Sequence, residues 1–226
     1  MTSTTGDKSE SKTASTGELF VNLYNSPTAL LVQLGTGILA YDIYRALSSV
    51  TVSPFTGHPA FNSLGLALLL QGVLLVQPVP KNADIKNRLG FVHGVFNNLA
   101  VSSFLVGSGF IFYNKNAYGA QHYTTWHAWL GLTTYTTLVT VALFGNSVYF
   151  FPVQIFGSVN KAKSFYKYHR QFGYLTLIMI GSSIFLATYS AFNESTLHIA
   201  RGLVLLCLGL IAGGLVPRVD VKKMGF

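Results

Sequence analysis

Six stretches of the chain run almost without polar interruption, at about 27–47, 58–77, 89–113, 125–152, 168–192 and 197–216. Each approaches the roughly 20 apolar residues that a helix needs to cross the hydrocarbon of a bilayer. Breaker clusters separate them: Ser53-Pro54 with Gly57, Gln77-Pro78-Val79-Pro80, Asn114-Lys115-Asn116, Gly157-Ser158 and Asn193-Glu194-Ser195. Strands would need short alternating segments, and these runs are continuously apolar. In lipid the backbone must bond within its own segment, so each run reads as a helix. The pattern predicts an all-α membrane protein with six transmembrane helices in one domain, 27–217. A polar tail, 1–26, reads as disordered and cytosolic, and a short cytosolic tail, 218–226, follows.

Composition sharpens this picture. Of 226 residues, 50% are hydrophobic and only 10% charged, where a soluble domain carries about 25%. Such a chain has too few charges to cover a water-facing surface. The N-terminal residues hold Asp7, Lys8, Glu10 and Lys12 and no apolar core, so no cleavable signal is visible and the first helix acts as the insertion signal. The single cysteine, Cys207, excludes an internal disulfide and covalent haem attachment through a Cys-x-x-Cys-His motif.

The net charge of +8 is sorted rather than spread. With six spans, all 15 lysines and arginines except Arg45, Lys115 and Arg201 fall on the side shared by the two termini. The positive-inside rule puts that side in the cytosol. The basic balance is thereby explained as a topology signal, without nucleic acid. The protein is expected to be integral and multi-pass, and plasma, endoplasmic reticulum and endosomal or vacuolar membranes all fit. Gly90 and Gly94, like Gly209 and Gly213, have the small-residue spacing of close helix packing. Gly94 also leaves room for a flat cofactor, because it follows a histidine.

Against this apolar background, His58, His93, His127 and His169 stand near the starts of four successive helices. On the predicted topology His58 and His127 share the outer depth, and His93 and His169 the cytosolic depth. A polar side chain in hydrocarbon faces the bundle interior and a partner. One such histidine alone reads as a helix-tying residue; four matched in two pairs read as metal ligands. Neither pair has the further ligands that zinc prefers. Two imidazoles from facing helices suit an iron porphyrin held from both sides, which leaves no open iron position and favours electron transfer. A flavin-type ferric reductase domain would carry two histidines on one helix about four turns apart, and none of these helices does.

The segments Gly57-His58-Pro59, Val92-His93-Gly94, Trp126-His127-Ala128-Trp129-Leu130-Gly131 and Tyr168-His169-Arg170-Gln171-Phe172-Gly173 resemble, in order and spacing, the four histidine segments of the cytochrome b561 family. The stretch from Gly119 through His122-Tyr123-Thr124-Thr125-Trp126-His127 is similar to its single-domain, tumour-suppressor-like branch. The resemblance covers about 27–218. It implies a central four-helix bundle holding two haem b groups, the cytosolic one on His93 and His169 and the outer one on His58 and His127. It implies a transmembrane oxidoreductase, with electrons passing from cytosolic ascorbate to monodehydroascorbate or a ferric chelate, and a homodimer.

Lys86, Arg88 and Lys167 lie nearest the cytosolic histidines and form a candidate rim for an anionic donor. His122, Lys115 and Arg201 are candidates for propionate or acceptor contacts on the outer side, and His198 reads as structural at the start of the sixth helix. Relatives with well-defined ascorbate sites carry a Tyr-Arg pair at the end of the second helix, where this chain has Leu75-Val76-Gln77-Pro78. That departure keeps open an alternative, a haem-binding electron carrier or accessory subunit without its own ascorbate site. A cofactor-free protein whose histidines only tie helices is a third reading. Asn193-Glu194-Ser195 is a glycosylation sequon on the outer side, close to the bilayer.

Overall fold

The computed structural model describes residue 17 and residues 20–77 and 82–225. Most of the expected N-terminal tail, with Lys8 and Lys12, lies outside the described residues, as does Lys81. Among those described there are helices and turns and no strand. The long helices are α1 (Pro27–Ser48), α2 (Pro54–Leu75), α3 (Ala83–Ala117), α4 (Trp126–Phe150), α5 (Tyr166–Ala187) and α6 (Arg201–Leu215).

Their starts follow from local chemistry. Ser26 and Thr125 accept the orphan N–H groups of Ala29 and Ala128, and Asn82 accepts that of Asp84. Pro27 and Pro54 occupy first-turn positions where a missing N–H costs nothing. The second helix therefore starts a turn before His58. The fourth ends earlier than its apolar run, because Pro152 cannot continue it and instead opens a short helix, Pro152–Phe156. A second short helix, Val159–Ser164, leads into α5. Beyond Ala187 the chain is irregular, with a wide turn at Asn193–Leu197 and His198 at φ 53°. His198 thus precedes the sixth helix, which begins at Arg201.

Among the described residues five helical segments are long and apolar enough to cross a membrane: Pro54–Leu75, Ala83–Ala117, Trp126–Phe150, Val159–Ala187 and Arg201–Arg218. α1 is as long as α2, but Gln33, Asp42 and Arg45 lower its hydropathy. It spends its polar groups on the protein. Gln33 and Gln71 of α2 exchange amide hydrogen bonds at 2.8 and 3.0 Å, and buried Asp42 is paired with Arg45 at 2.7 Å.

The packing partners define antiparallel pairs. α1 lies against α6, with Gly35 at the Cys207 carbonyl and Gly214 at Thr28 and Val32. A Cβ at Gly35 would sit 2.7 Å from that carbonyl, so glycine permits the approach. The expected packing through Gly209 and Gly213 is not used, since both look onto open space; the neighbouring Gly214 makes the close contact instead. α2 pairs with α3, where Gly65 meets Phe104 and Ser103 donates to the Phe61 carbonyl at 2.7 Å. α4 pairs with α5, where Gly145 faces His169 and Gly131 faces Ser183. Asn98 and Asn146 exchange amide hydrogen bonds at 3.2 and 2.9 Å and tie α3 to α4.

Candidate functional site

Antiparallel pairing puts the start of α2 beside the end of α3, and the start of α4 beside the end of α5. The four histidines, each near a helix start, therefore separate into two groups at opposite ends of the bundle. At one end the rings of His58 and His127 face each other with centroids 6.2 Å apart and planes at 80°. At the other, His93 and His169 face each other with centroids 6.2 Å apart and planes at 86°. Each pair draws one ring from α2/α3 and one from α4/α5.

Backbone carbonyls fix the tautomer. His58 Nδ1 donates to the Gly107 carbonyl at 3.0 Å, His93 Nδ1 to Gly72 at 2.7 Å, and His127 Nδ1 to Ser183 at 2.9 Å. A carbonyl can only accept, so Nδ1 carries the proton and Nε2 keeps its lone pair. His169 lies by the Val141 carbonyl in the corresponding register, but its buried Nδ1 stops short of a well-formed hydrogen bond. Glycines make the seats. A Cβ at Gly145 would be 2.6 Å from the His169 ring, and one at Gly72 would be 3.0 Å from Asn97. Beside Gly94 and Gly173, each next to or near a histidine, the space is open.

The residues fit a metal held between two imidazoles. Two nitrogen–metal bonds of about 2 Å each, plus the distance from nitrogen to ring centre on both sides, span roughly 6 Å, close to the 6.2 Å found at both ends. No group of three or more His, Cys, Asp or Glu side chains gathers among the described residues. The donor set is thus two imidazoles per end in an apolar slot, which suits a planar macrocyclic metal complex that brings its own equatorial ligands.

Other predicted residues stand around these ends. Lys86, Arg88 and Lys167 are all at the His93/His169 end. Lys86 and Arg88 are exposed, and the Lys167 ammonium lies 5.0 Å from the Tyr168 ring centre. Arg170 and Gln171, next to His169, bond the carbonyls of Lys223 and Met224 at 2.9 and 2.8 Å, so the C-terminal turn Val221–Met224 is strapped along α5. Gln77, at the end of α2, is buried, bonded to the Tyr174 hydroxyl, and its carbonyl is bonded by Arg218.

At the opposite end, His122 bonds Asn116 at 2.9 Å and stacks on Phe112, and Lys115 reaches the Gln121 carbonyl. Arg201 is paired with Glu194 and lies 4.0 Å from the Tyr189 ring centre. All three have local partners, and the Lys115 charge is also felt at His127.

Sequence reasoning missed three residues beside the histidines. Asn62 and Asn97 lie one helical turn beyond His58 and His93, with amide nitrogens 3.1 and 3.0 Å from Nδ1 of those rings. Tyr135 of α4 donates its hydroxyl to Asn62 at 2.8 Å. The signal was present in the repeat His58-Pro59-Ala60-Phe61-Asn62 and His93-Gly94-Val95-Phe96-Asn97.

Comparison with known proteins points the same way. A family model described as eukaryotic cytochrome b561 matches residues 57–195, which takes in all four histidines. A pig protein named transmembrane ascorbate-dependent reductase CYB561 is 28% identical over 182 residues, 75% of this chain and 70% of that protein. A mouse protein named probable transmembrane reductase CYB561D1 is 27% identical over 187 residues, 78% of this chain and 79% of that protein.

Proposed function

The chain belongs to the eukaryotic cytochrome b561 family, and from that membership we propose that it is a transmembrane oxidoreductase carrying electrons from cytosolic ascorbate through two b-type haems to a non-cytosolic acceptor, monodehydroascorbate or a ferric chelate. The observation that carries this reading is the pair of facing imidazoles at each end of the bundle, with centroids 6.2 Å apart in both. Bound between two such imidazoles, a haem would supply one-electron transfer. His93 and His169 would hold the cytosolic group, and His58 and His127 the outer one. Carbonyl bonds at Nδ1 of His58, His93 and His127 put the proton there and leave the lone pair on Nε2, the nitrogen that would take iron; at His93 the Asn97 amide, 2.8 Å from Nε2, would give way to the metal.

Charge supports the direction. The lysines and arginines other than Arg45, Lys115 and Arg201 belong to the side of the termini, which by the positive-inside rule is cytosolic. Ascorbate is an anion at neutral pH, and Lys86, Arg88 and Lys167 form a basic approach to the His93/His169 end. These three attract and orient the donor; they do not touch the metal.

Gln77 favours a second reading. It is buried against Tyr174 and Arg218 where a Tyr-Arg pair marks better-defined donor sites, which suits an electron carrier served by a protein partner. One experiment separates them. The purified protein is titrated with ascorbate and its haem bands are followed optically. Ascorbate-dependent reduction that is slowed in Lys86→Ala supports the reductase. Haem reduced by dithionite and untouched by ascorbate supports the carrier, and protein without haem after expression with haem supply sinks both.

A further inference from the structure

The two histidine pairs are built from the same parts. Gly107, which receives His58, stands as far beyond His93 as Gly72, which receives His93, stands beyond His58. Ser183 and Val141 stand in the same relation to His169 and His127. Each of α2 and α3 adds an asparagine one turn after its histidine, and each of α4 and α5 adds a glycine there, Gly131 and Gly173. A local two-fold relation therefore makes the two ends near copies, down to the ring separation.

The copies differ at one position next to the asparagines. Tyr135 follows His127 at the same interval as Leu177 follows His169. The Tyr135 hydroxyl donates to Asn62 Oδ1 at 2.8 Å. Asn62 Nδ2 donates in turn to the His58 carbonyl at 2.8 Å and lies 3.1 Å from Nδ1 of the ring. Both ends of that amide are therefore used, and a continuous chain of contacts runs from α4 to the histidine of α2. Leu177 packs among apolar side chains and has nothing to donate. The corresponding Asn97 Oδ1 is buried and has no partner among the described residues, while its Nδ2 reaches the His93 ring, at 3.0 and 2.8 Å from the two nitrogens.

We propose that Tyr135, acting through Asn62, is a positioning residue for the His58/His127 site alone, and that this one-sided hydrogen-bond chain makes the two metal sites inequivalent. The proposal rests on the haem reading above. Its physical basis is that hydrogen bonds in a low-dielectric interior are strong and reinforce one another, and that groups bonded behind a metal-ligating histidine fix its orientation and tune the metal. A locked amide holds the His58 ring in one setting. The Asn97 amide, bonded on one side only, leaves His93 less constrained.

The test is a redox titration of the full-length, haem-loaded protein, resolved into its two components, for wild type and Tyr135→Phe. His127→Ala identifies the component that belongs to the His58/His127 site by removing it. In Tyr135→Phe that component's midpoint is expected to shift, or its haem to be lost, while the other component keeps its midpoint. Two unmoved midpoints overturn the proposal, as do two that shift together or a shift confined to the component that survives in His127→Ala. A wild-type protein without two resolvable haems would instead overturn the parent reading.

Discussion

Gly145 lacks a side chain because His169 occupies the space a Cβ would need, only 2.6 Å from the ring. On the proposed two-haem reading, Gly145→Ala is therefore expected to push His169 aside and remove the haem absorbance of the His93/His169 site while sparing the other. A spectrum of purified variant protein with full content of both haems would contradict this. On the same reading each of His58→Ala, His93→Ala, His127→Ala and His169→Ala should abolish one haem, since one imidazole cannot hold the metal from both sides.

Asn193 is buried, at 7% exposure, and its amide donates to the carbonyls of Thr188 and Ile199 and accepts from Ile199 N–H. A side chain spent in this way staples the turn before α6. The sequon is expected to stay unglycosylated, and enzymatic deglycosylation of protein from a glycosylating host should leave its gel mobility unchanged. These roles divide by legibility. The histidines stood out in sequence because imidazole is rare in apolar runs. Tyr135 did not, because aromatic residues line most membrane helices and only its hydroxyl's destination distinguishes it.

Among elements, the tight seams are α1 against α6 and α2 against α3. Gly214 lies at the Thr28 carbonyl and Val32, so even one added methyl group has nowhere to go. Gly214→Val is expected to cost about 1–3 kcal/mol, the usual range for overpacking, seen as a lower midpoint in thermal unfolding in detergent. The Asn98–Asn146 exchange joins α3 to α4, and thus the two halves that carry opposite members of each histidine pair. Hydrogen bonds of this kind between membrane helices average about 0.6 kcal/mol, so Asn146→Leu should lower stability only slightly. The apolar runs located these helices, but Pro152 ended α4 earlier and the asparagine-stapled turn delayed α6. Hydrophobic length marks what can lie in lipid; proline and capping groups decide where the hydrogen-bonded spiral begins and stops.

For the whole molecule, the basic residues cluster at the His93/His169 end. On the proposed function, ascorbate reduction should slow as salt rises, because the screening length falls from about 10 Å at 0.1 M to about 3 Å at 1 M. Stopped-flow rates that do not change with ionic strength would argue against the Lys86, Arg88 and Lys167 approach. The C-terminal turn, held by Arg170 and Gln171, is part of this end and not a free tail.

The all-helical membrane architecture, the sorting of charge and the place of each histidine along its apolar run were legible from the chain alone. These are properties of local composition and of counting crossings, and they need no knowledge of which helix touches which. Tertiary structure alone decided that His58 meets His127 and His93 meets His169, which carbonyl receives each ring, and that one asparagine is answered by a tyrosine and the other is not. Those facts depend on how helices rotate about their own axes when they pair. In a chain that is apolar on nearly every face, periodicity does not encode that rotation; close packing at glycines such as Gly35, Gly72, Gly145 and Gly214 sets it.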